Sequence, residues 1–282
     1  MITKIGDVEI WRLLEIDGPF LAATELFPNA GSDVGRIIEA LAPGSIDQSS
    51  GRLILPIQGF LLKTEHQIIL VDSCVGNHKT LPNLPAWNQK SDDRFLSALQ
   101  KAGLTPDDVD VVLCTHLHSD HVGWNTRLEN GSWVPTFPNA RYILPRADEE
   151  FHRNEATVLY QESVLPIIAR DLAEMTEGAH ELCDGVRLVP TPGHSPGHVS
   201  VEIDRQGQRA LITGDALHST AQCCHPEWHF KFDADPAKAA TTRHNLLQRA
   251  TDKNQLVLGN HFLLPSLGHV AEKGDSFSWN PV

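Results

Sequence analysis

Short apolar runs along the chain predict buried strands, and longer stretches with apolar residues three or four positions apart predict helices. The runs at 53–63 and 67–72 are typical of two strands that form a hairpin around 64–66. An amphipathic stretch that starts at Ser91 and stops at Gly103 predicts a helix. The remaining patterns predict strands at 1–10, 111–115, 141–144, 186–190, 210–214 and 256–260, and helices at about 157–175 and 235–250. Residues 11–50 show no regular pattern, so loop or short helix is expected there.

Four of these strands are each followed by a side chain that can bind a metal ion. The four side chains are His116 after 111–115, His194 after 186–190, Asp215 after 210–214 and His261 after 256–260. Strand ends fix the position of loop side chains, and sites in layered α/β proteins gather there. A random scatter of histidines would not fall on strand ends four times, so the pattern indicates a common site.

The densest group of such side chains is the motif His-Leu-His-Ser-Asp-His at 116–121. On a helix, His116 and His118 would point to opposite sides, whereas in an extended loop they lie on one side, ~6.6 Å apart. Two imidazoles placed in this way can converge on one metal ion at ~2.0–2.1 Å. Asp120 continues the same face, and His121 points off it toward a second ion. The alternative, a polar loop that happens to be rich in histidine, poorly explains four metal-competent side chains so close together.

The composition is that of a globular protein, with 41% hydrophobic and 21% charged residues among 282. The net charge is −13, and no run of Lys and Arg offsets it, so a nucleic-acid partner is not expected. No apolar stretch reaches the 18 or so residues that a membrane helix needs, so a membrane partner is not expected either.

The five cysteines are Cys74, Cys114, Cys183, Cys223 and Cys224. They show no C-x-x-C spacing, which argues against a disulfide framework or a zinc knuckle. Cys74 and Cys114 lie in apolar stretches and are expected in the core. The N-terminus alternates polar and apolar residues and has no signal-peptide pattern. We therefore predict a reduced, cytoplasmic protein.

The motifs at strand ends together resemble those of the metallo-β-lactamase superfamily. They are His116-Leu117-His118-Ser119-Asp120-His121, Gly193-His194, Gly214-Asp215 and Asn260-His261-Phe262. Their order and spacing are similar to those of its dinuclear hydrolases, the N-acyl-homoserine-lactone lactonases and methyl parathion hydrolase. The resemblance covers about residues 50–270. It implies an α/β fold, a four-layer αββα sandwich in which helices flank two mixed sheets. We predict a single domain over residues 1–282, with a variable N-terminal extension at about 1–50.

Residue by residue, the resemblance implies a site for two metal ions. One ion would be bound by His116, His118 and His194, the other by Asp120, His121 and His261, and Asp215 would bridge the two. Asp72 matches an aspartate of the family that orients a ligand. Nitrogen and oxygen donors without a thiolate suit zinc, which is the expected metal, but also manganese, iron or cobalt.

Asp215 also helps to choose among branches of the superfamily. Zinc β-lactamases lack an equivalent bridging aspartate, nucleases carry added nucleic-acid regions, and glyoxalase II enzymes add a basic C-terminal part. The segment after Asp215, which contains His218, His225 and Trp228, resembles the parathion-hydrolase branch. Ser219-Thr220 departs from the His-Pro often found there, which leaves the shape of the substrate pocket open.

These residues predict a metal-dependent hydrolase that acts on a small-molecule substrate. A hydroxide that bridges the two ions would attack the carbonyl carbon of a lactone or an activated ester. Asp120 would then pass a proton to the leaving alkoxide. One alternative is a phosphotriesterase or arylesterase, because the same hydroxide can attack phosphorus. Flavin-coupled iron redox chemistry is a second, although that branch typically has Glu where His118 stands, and a non-catalytic binding protein is a third. Relatives are often homodimers, which leaves a homodimer as an option on analogy alone.

The other histidines are weaker candidates. His198 is expected to be structural, whereas the histidines that could line the cleft are His218, His225, His229 and His269. Those expected at the surface are His66, His78, His152, His180 and His244.

Overall fold

The chain was analysed as a computed structural model that describes all 282 residues. Its internal packing divides it into two compact units. The first unit comprises Met1–Glu15 and Ile57–Glu177, and the second comprises Ile16–Pro56 and Gly178–Val282. None of the helices has the length and apolar character needed to cross a membrane.

Eighteen strands and eight α-helices make up the regular structure. The strands are β1 (Thr3–Ile5), β2 (Val8–Ile16), β3 (Pro19–Ala22), β4 (Arg52–Ile54), β5 (Ile57–Lys63), β6 (Ile68–Val71), β7 (Val111–Leu113), β8 (Thr126–Glu129), β9 (Ser132–Pro135), β10 (Arg141–Pro145), β11 (Ala173–Thr176), β12 (His180–Cys183), β13 (Val186–Pro190), β14 (Val199–Arg205), β15 (Gln208–Ile212), β16 (Leu256–Leu258), β17 (Leu267–Lys273) and β18 (Ser276–Pro281). The helices are α1 (Ala23–Leu26), α2 (Val34–Leu41), α3 (Arg94–Lys101), α4 (Ser119–Val122), α5 (Arg146–Asn154), α6 (Leu165–Ile168), α7 (Ala221–Cys224) and α8 (Pro236–Asp252).

The first unit is built on a seven-stranded mixed sheet with the order β1-β2-β5-β6-β7-β10-β11. Strands β6, β7, β10 and β11 are parallel neighbours, and the residues of β6, β7 and β10 are almost all buried and apolar. Parallel strands end at the same edge of a sheet. Asp72 directly follows β6 and His116 comes shortly after β7, so both lie at this edge.

The second unit is built on a seven-stranded sheet in the order β12 to β18. Strand β14 is antiparallel to both β13 and β15, and β15 is parallel to β16. Strands β13, β15 and β16 therefore run in the same direction and end at one edge. The residues that follow these three strands are His194, Asp215 and His261.

Residues 23–31 of the second unit pack on its loop at 226–231. The side-chain amide of Asn29 donates to the Glu227 carbonyl at 2.9 Å and accepts from the His229 N–H at 2.8 Å. Phe27, fully buried, packs on Trp228 and Phe230 with ring centroids 6.0 and 5.7 Å away. This N-terminal stretch, in which no regular pattern is visible in the sequence, is thus fixed by side-chain contacts.

Most of the predicted elements are confirmed, with four corrections. The strand predicted over 53–63 is interrupted at Leu55 and Pro56, which separate β4 from β5. The hairpin appears as β5 and β6, while residues 1–16 form two strands, since Gly6 adopts a positive φ of 58° and turns the chain. The predicted helix that starts at Ser91 begins at Arg94. The helix predicted over 157–175 ends at Ile168, because residues 173–176 pair in parallel with β10 instead.

Glu202 on β14 is a buried carboxylate surrounded by cations. It is 1% exposed and accepts hydrogen bonds from Arg187, Arg249 and Lys253, as well as from the Gln255 amide. Burial raises the pKa of Glu202, but the hydrogen bonds from the three cations outweigh it and bring the pKa to about 2, from an ordinary value of 4.5. The network joins β13, β14 and α8 within the second unit.

Replacing Glu202 with glutamine should lower the free energy of unfolding at pH 7 by about 1–3 kcal/mol, because three partly exposed cations lose their counter-charge. The folded pKa lies below the unfolded one, so the wild-type advantage is present above pH 4.5 and is lost as the pH falls toward 2. Urea unfolding of both proteins at pH 7 and pH 3 measures the difference. A difference that does not shrink at pH 3 would contradict this account.

Candidate metal centre

The motif at 116–121 changes backbone conformation in its middle. His118 is extended, with φ −77° and ψ 164°, and α4 starts at the next residue. The extended part lets His116 and His118 face each other, with ring centroids 4.6 Å apart, and the helical turn brings the His121 ring to 4.0 Å from that of His116. His116 and His121 are buried, whereas His118 and Asp120 are half-buried.

Asp72 organises the base of this motif. Its carboxylate is fully buried and accepts from the Thr115 N–H at 2.7 Å and from the Thr115 hydroxyl at 2.9 Å. The Nδ1 of His121 lies 2.9 Å from the same carboxylate. Because the Thr115 hydroxyl donates to Asp72, its oxygen accepts from Nδ1 of His116, 3.2 Å away. The His116 imidazole therefore carries its proton on Nδ1 and a lone pair on Nε2, and the His121 ring turns its Nδ1 toward Asp72.

A second buried acid supports the loops around the motif. Glu15 accepts from the Trp124 indole at 2.6 Å and from the Val75 N–H at 2.7 Å, and it pairs with Lys90 at 2.7 Å. Burial raises the pKa of Glu15, which these donors partly offset. Gly123 packs so closely that a Cβ there would overlap the Val75 carbonyl. The segment after the motif is therefore held against the loop that carries Asp72.

In the second unit, Asp215 lies at the centre of three imidazoles. Its Oδ1 is 3.0 Å from Nε2 of His261, and its Oδ2 is 3.3 Å from Nε2 of His194 and 3.1 Å from Nε2 of His218. The backbone N–H of Asp215 donates to Nε2 of His198 at 2.9 Å. His198 thus fixes the position of Asp215, in agreement with the structural role predicted for it.

Two further acceptors orient the imidazoles of this unit. Nδ1 of His194 lies 2.9 Å from Oδ1 of Asp233, and Nδ1 of His261 donates to the Pro56 carbonyl at 2.8 Å. Both rings, like those of His116 and His121, therefore present Nε2 as the metal-competent nitrogen. Asp233 is absent from the sequence-based predictions, because it lies 39 residues from His194 and belongs to no recognisable motif.

The seven predicted side chains lie in two clusters of potential ligands, one within each unit. The first unit holds His116, His118, Asp120 and His121, all in the motif at 116–121. The second unit holds His194, Asp215 and His261. Two donors bound to one tetrahedral zinc ion are ~3.4 Å apart, close to the 3.0 and 3.3 Å that separate Nε2 of His261 and of His194 from the Asp215 oxygens. These imidazole and carboxylate donors fit metal binding, and the two oxygens of Asp215 face different imidazoles.

His218 is a further side chain beside Asp215, 3.1 Å from its Oδ2. The sequence alone indicates it only as a residue that could line the cleft. It is fully buried and stacks on Phe230 with ring centroids 3.4 Å apart. Burial lowers the pKa of His218 to about 3, against the opposing effect of Asp215. The ring is therefore neutral near pH 7. The other histidines suggested for the cleft, His225, His229 and His269, are half-buried.

One surface prediction is wrong. His152 on α5 is 8% exposed, and its ring centroid lies 6.4 Å from that of His118. Burial lowers the pKa of His152. The polar composition of α5 suggests an exposed helix, but His152 falls on the same face as the buried Asp148, four residues earlier, which accepts from the Leu117 N–H at 3.2 Å.

Residues 55–261 match the family model described as the metallo-beta-lactamase superfamily. The chain belongs to the metallo-β-lactamase superfamily. Over 202 residues it is 33% identical to an N-acyl homoserine lactonase of Bacillus thuringiensis, in a match that covers 66% of this chain and 72% of the relative.

Two solved structures share the metallo-β-lactamase fold over almost the whole chain. The hydrolase AbOPH superposes with a TM-score of 0.82 at 26% identity, covering 99% of this chain and 96% of that one. The dizinc quorum-quenching lactonase AidC superposes with a TM-score of 0.82 at 21% identity and the same coverage, which supports the fold alone. The predicted fold class is confirmed, and the chain is a metal-dependent hydrolase of this superfamily.

Proposed function

We propose that the protein is a dinuclear hydrolase that opens lactones, with N-acyl-homoserine lactones as the first substrate class to test. The observation that carries the proposal is the position of Asp215, whose Oδ1 faces Nε2 of His261 at 3.0 Å and whose Oδ2 faces Nε2 of His194 at 3.3 Å. A carboxylate with one oxygen toward each of two imidazoles can serve two neighbouring ions. The 33% identity to an N-acyl homoserine lactonase supports the choice of substrate.

In this proposal His116, His118 and His194 would hold one ion, Asp120, His121 and His261 would hold the other, and Asp215 would be shared by both. Zinc suits this set of imidazole and carboxylate donors. A pair of ions bound there would make water acidic enough to act as a nucleophile near neutral pH.

The protein's own side chains set the geometry of the reaction. Asp72, Asp233 and the Pro56 carbonyl hold the imidazoles with Nε2 directed to the centre. Asp120 is half-buried, with its Oδ2 3.7 Å from Nε2 of His121. It keeps contact with solvent and can pass a proton to the alkoxide that leaves when the ring opens.

Metal analysis joined to a hydrolysis panel tests the proposal. The panel comprises N-acyl-homoserine lactones, aryl esters and phosphotriesters, each measured with metal-loaded, chelated and zinc-restored protein. We expect two metal equivalents per chain and the highest kcat/KM on lactones, lost on chelation and recovered with zinc. A preference for phosphotriesters would replace the lactonase assignment with the phosphotriesterase one, and fully loaded protein without hydrolysis of any member would refute both. The cytoplasmic location, the single-domain organisation and a homodimer remain predictions of the sequence.

A further inference from the structure

Helix α8 carries a fully buried arginine that the proposed chemistry does not use. Arg243 is 0% exposed, although the two residues that follow it on the helix, His244 and Asn245, are exposed. Its Nε donates to the Ala216 carbonyl at 2.7 Å, and its Nη1 donates to the carbonyls of Pro226 and Trp228, both at 2.8 Å. Its Nη2 lies 3.6 Å from Oδ2 of Asp233, an ion pair longer than a hydrogen bond.

Two of these contacts, to Ala216 and to Asp233, end beside residues of the proposed metal centre. Ala216 directly follows Asp215. Asp233 contacts Nδ1 of His194 and also accepts from the Phe230 N–H at 2.9 Å. Phe230 in turn stacks on His218. The Arg243 guanidinium therefore contacts Ala216 and Asp233 directly. Through these two residues it is connected to Asp215, His194 and, by way of Phe230, His218.

The helix approaches the His194 loop at two more points. Thr242 donates to the Pro192 carbonyl at 2.7 Å. Gly193, with φ 139°, lies so close to Ala239 that a Cβ there would overlap the helix backbone. The loop that carries His194 thus packs directly on α8. Arg243 is the buried charged residue of α8 at this contact.

We propose that Arg243 is a positioning residue of the metal centre, acting on His194 through Asp233 and on Asp215 through the Ala216 carbonyl. This inference rests on the proposed metal site. The planar guanidinium of Arg243 has N–H donors in several fixed directions. A lysine ammonium on a flexible stem cannot reproduce them. Outer partners of ligating histidines typically account for 10- to 100-fold in metal affinity.

Arg249 provides a matched comparison on the same helix. It is less than two turns from Arg243, and its carboxylate partner is Glu202, which it bonds through two donors. No contact of Arg249 leads to the metal centre. Arg243→Lys and Arg249→Lys therefore make the same chemical change in the same helix, and only the first changes the surroundings of His194.

The test compares zinc-loaded wild type, Arg243→Lys, Asp233→Asn, their double variant and Arg249→Lys. Zinc affinity is measured by competition with a colorimetric chelator, the visible spectrum of the cobalt-substituted proteins reports ligand geometry, and melting temperatures are recorded with and without metal. We expect 10- to 100-fold weaker zinc binding and an altered cobalt spectrum for Arg243→Lys and Asp233→Asn. The double variant should be no weaker than the worse single variant, because both act in one network. Arg249→Lys should lower the melting temperature and leave zinc affinity unchanged.

Wild-type zinc affinity in Arg243→Lys, with equal loss of melting temperature in loaded and metal-free forms, would show a merely structural arginine and overturn the inference. Should Arg243→Lys fail to fold, Asp233→Asn decides, since wild-type affinity and spectrum in that variant would also overturn it. Wild-type protein that binds no metal would overturn the proposed function as well. Lactone hydrolysis by the wild type therefore separates failure of this inference from failure of the proposed function.

Discussion

The Asp215→Ala variant should lose metal and lactone hydrolysis together. Asp215 is 3% exposed, and its two oxygens face the Nε2 atoms of His194, His218 and His261 at 3.0–3.3 Å. Without the carboxylate, two cations would lie among neutral rings with less charge to balance them. We expect fewer than two metal equivalents by elemental analysis and a fall in kcat/KM on the order of 10³-fold.

Asp204→Ala is the control for this variant. Asp204 is exposed on β14 of the same unit, and its carboxylate pairs with Arg209 at 2.8 Å. Its removal should leave metal content and hydrolysis unchanged, as expected for a surface ion pair. Full metal content with full activity in Asp215→Ala would refute the bridging assignment.

The Asp72→Asn variant should have the second largest effect, on both metal affinity and stability. The carboxylate of Asp72 accepts from the N–H and the hydroxyl of Thr115 at 2.7 and 2.9 Å, and it lies 2.9 Å from Nδ1 of His121. An amide has one acceptor oxygen, so its NH₂ group would face a donor inside the protein. We expect 10- to 100-fold weaker metal binding and a loss of about 2–4 kcal/mol in the free energy of unfolding.

Asp110→Asn is the matched control in the same sheet. Asp110 directly precedes β7, is exposed, and accepts from the Ile68 N–H at 2.7 Å. It therefore makes a backbone hydrogen bond at the other end of the parallel pair β6 and β7, away from the motif. Chelator competition and urea unfolding of both variants measure the contrast. Equal behaviour of the two variants would contradict the role assigned to Asp72.

The ligand candidates could be predicted because they obey local rules. His116, His118 and Asp120 lie together in one short motif, and His194 and Asp215 follow recognisable apolar strands. The direction of the strands then brings these residues to one edge of each sheet, which is a consequence of pairing and needs no long-range information. The same rules led to the hairpin of β5 and β6.

Apart from Asp72, the residues that position the proposed ligands could not be predicted in this way. Asp233 reaches His194 across 39 residues and Glu202 gathers cations from 15 to 51 residues away, so neither contact leaves a local pattern. The buried position of Arg243, in contrast, is indicated by the helical spacing of the sequence. Arg243 is four residues after Ala239 and three before Leu246, on the inward face of α8, but a charged side chain suggests an exposed position.

The stretch before residue 55 lies outside the family match. Within it, Asn29 forms hydrogen bonds with the backbone of Glu227 and His229, and Phe27 packs against Phe230. Phe230 stacks on His218, whose Nε2 lies 3.1 Å from Asp215. Substitutions within 23–31 therefore reach the surroundings of Asp215 through Phe230 and His218 and leave every proposed ligand in place. In the proposed enzyme, substrate preference can change through this stretch while the metal chemistry stays the same.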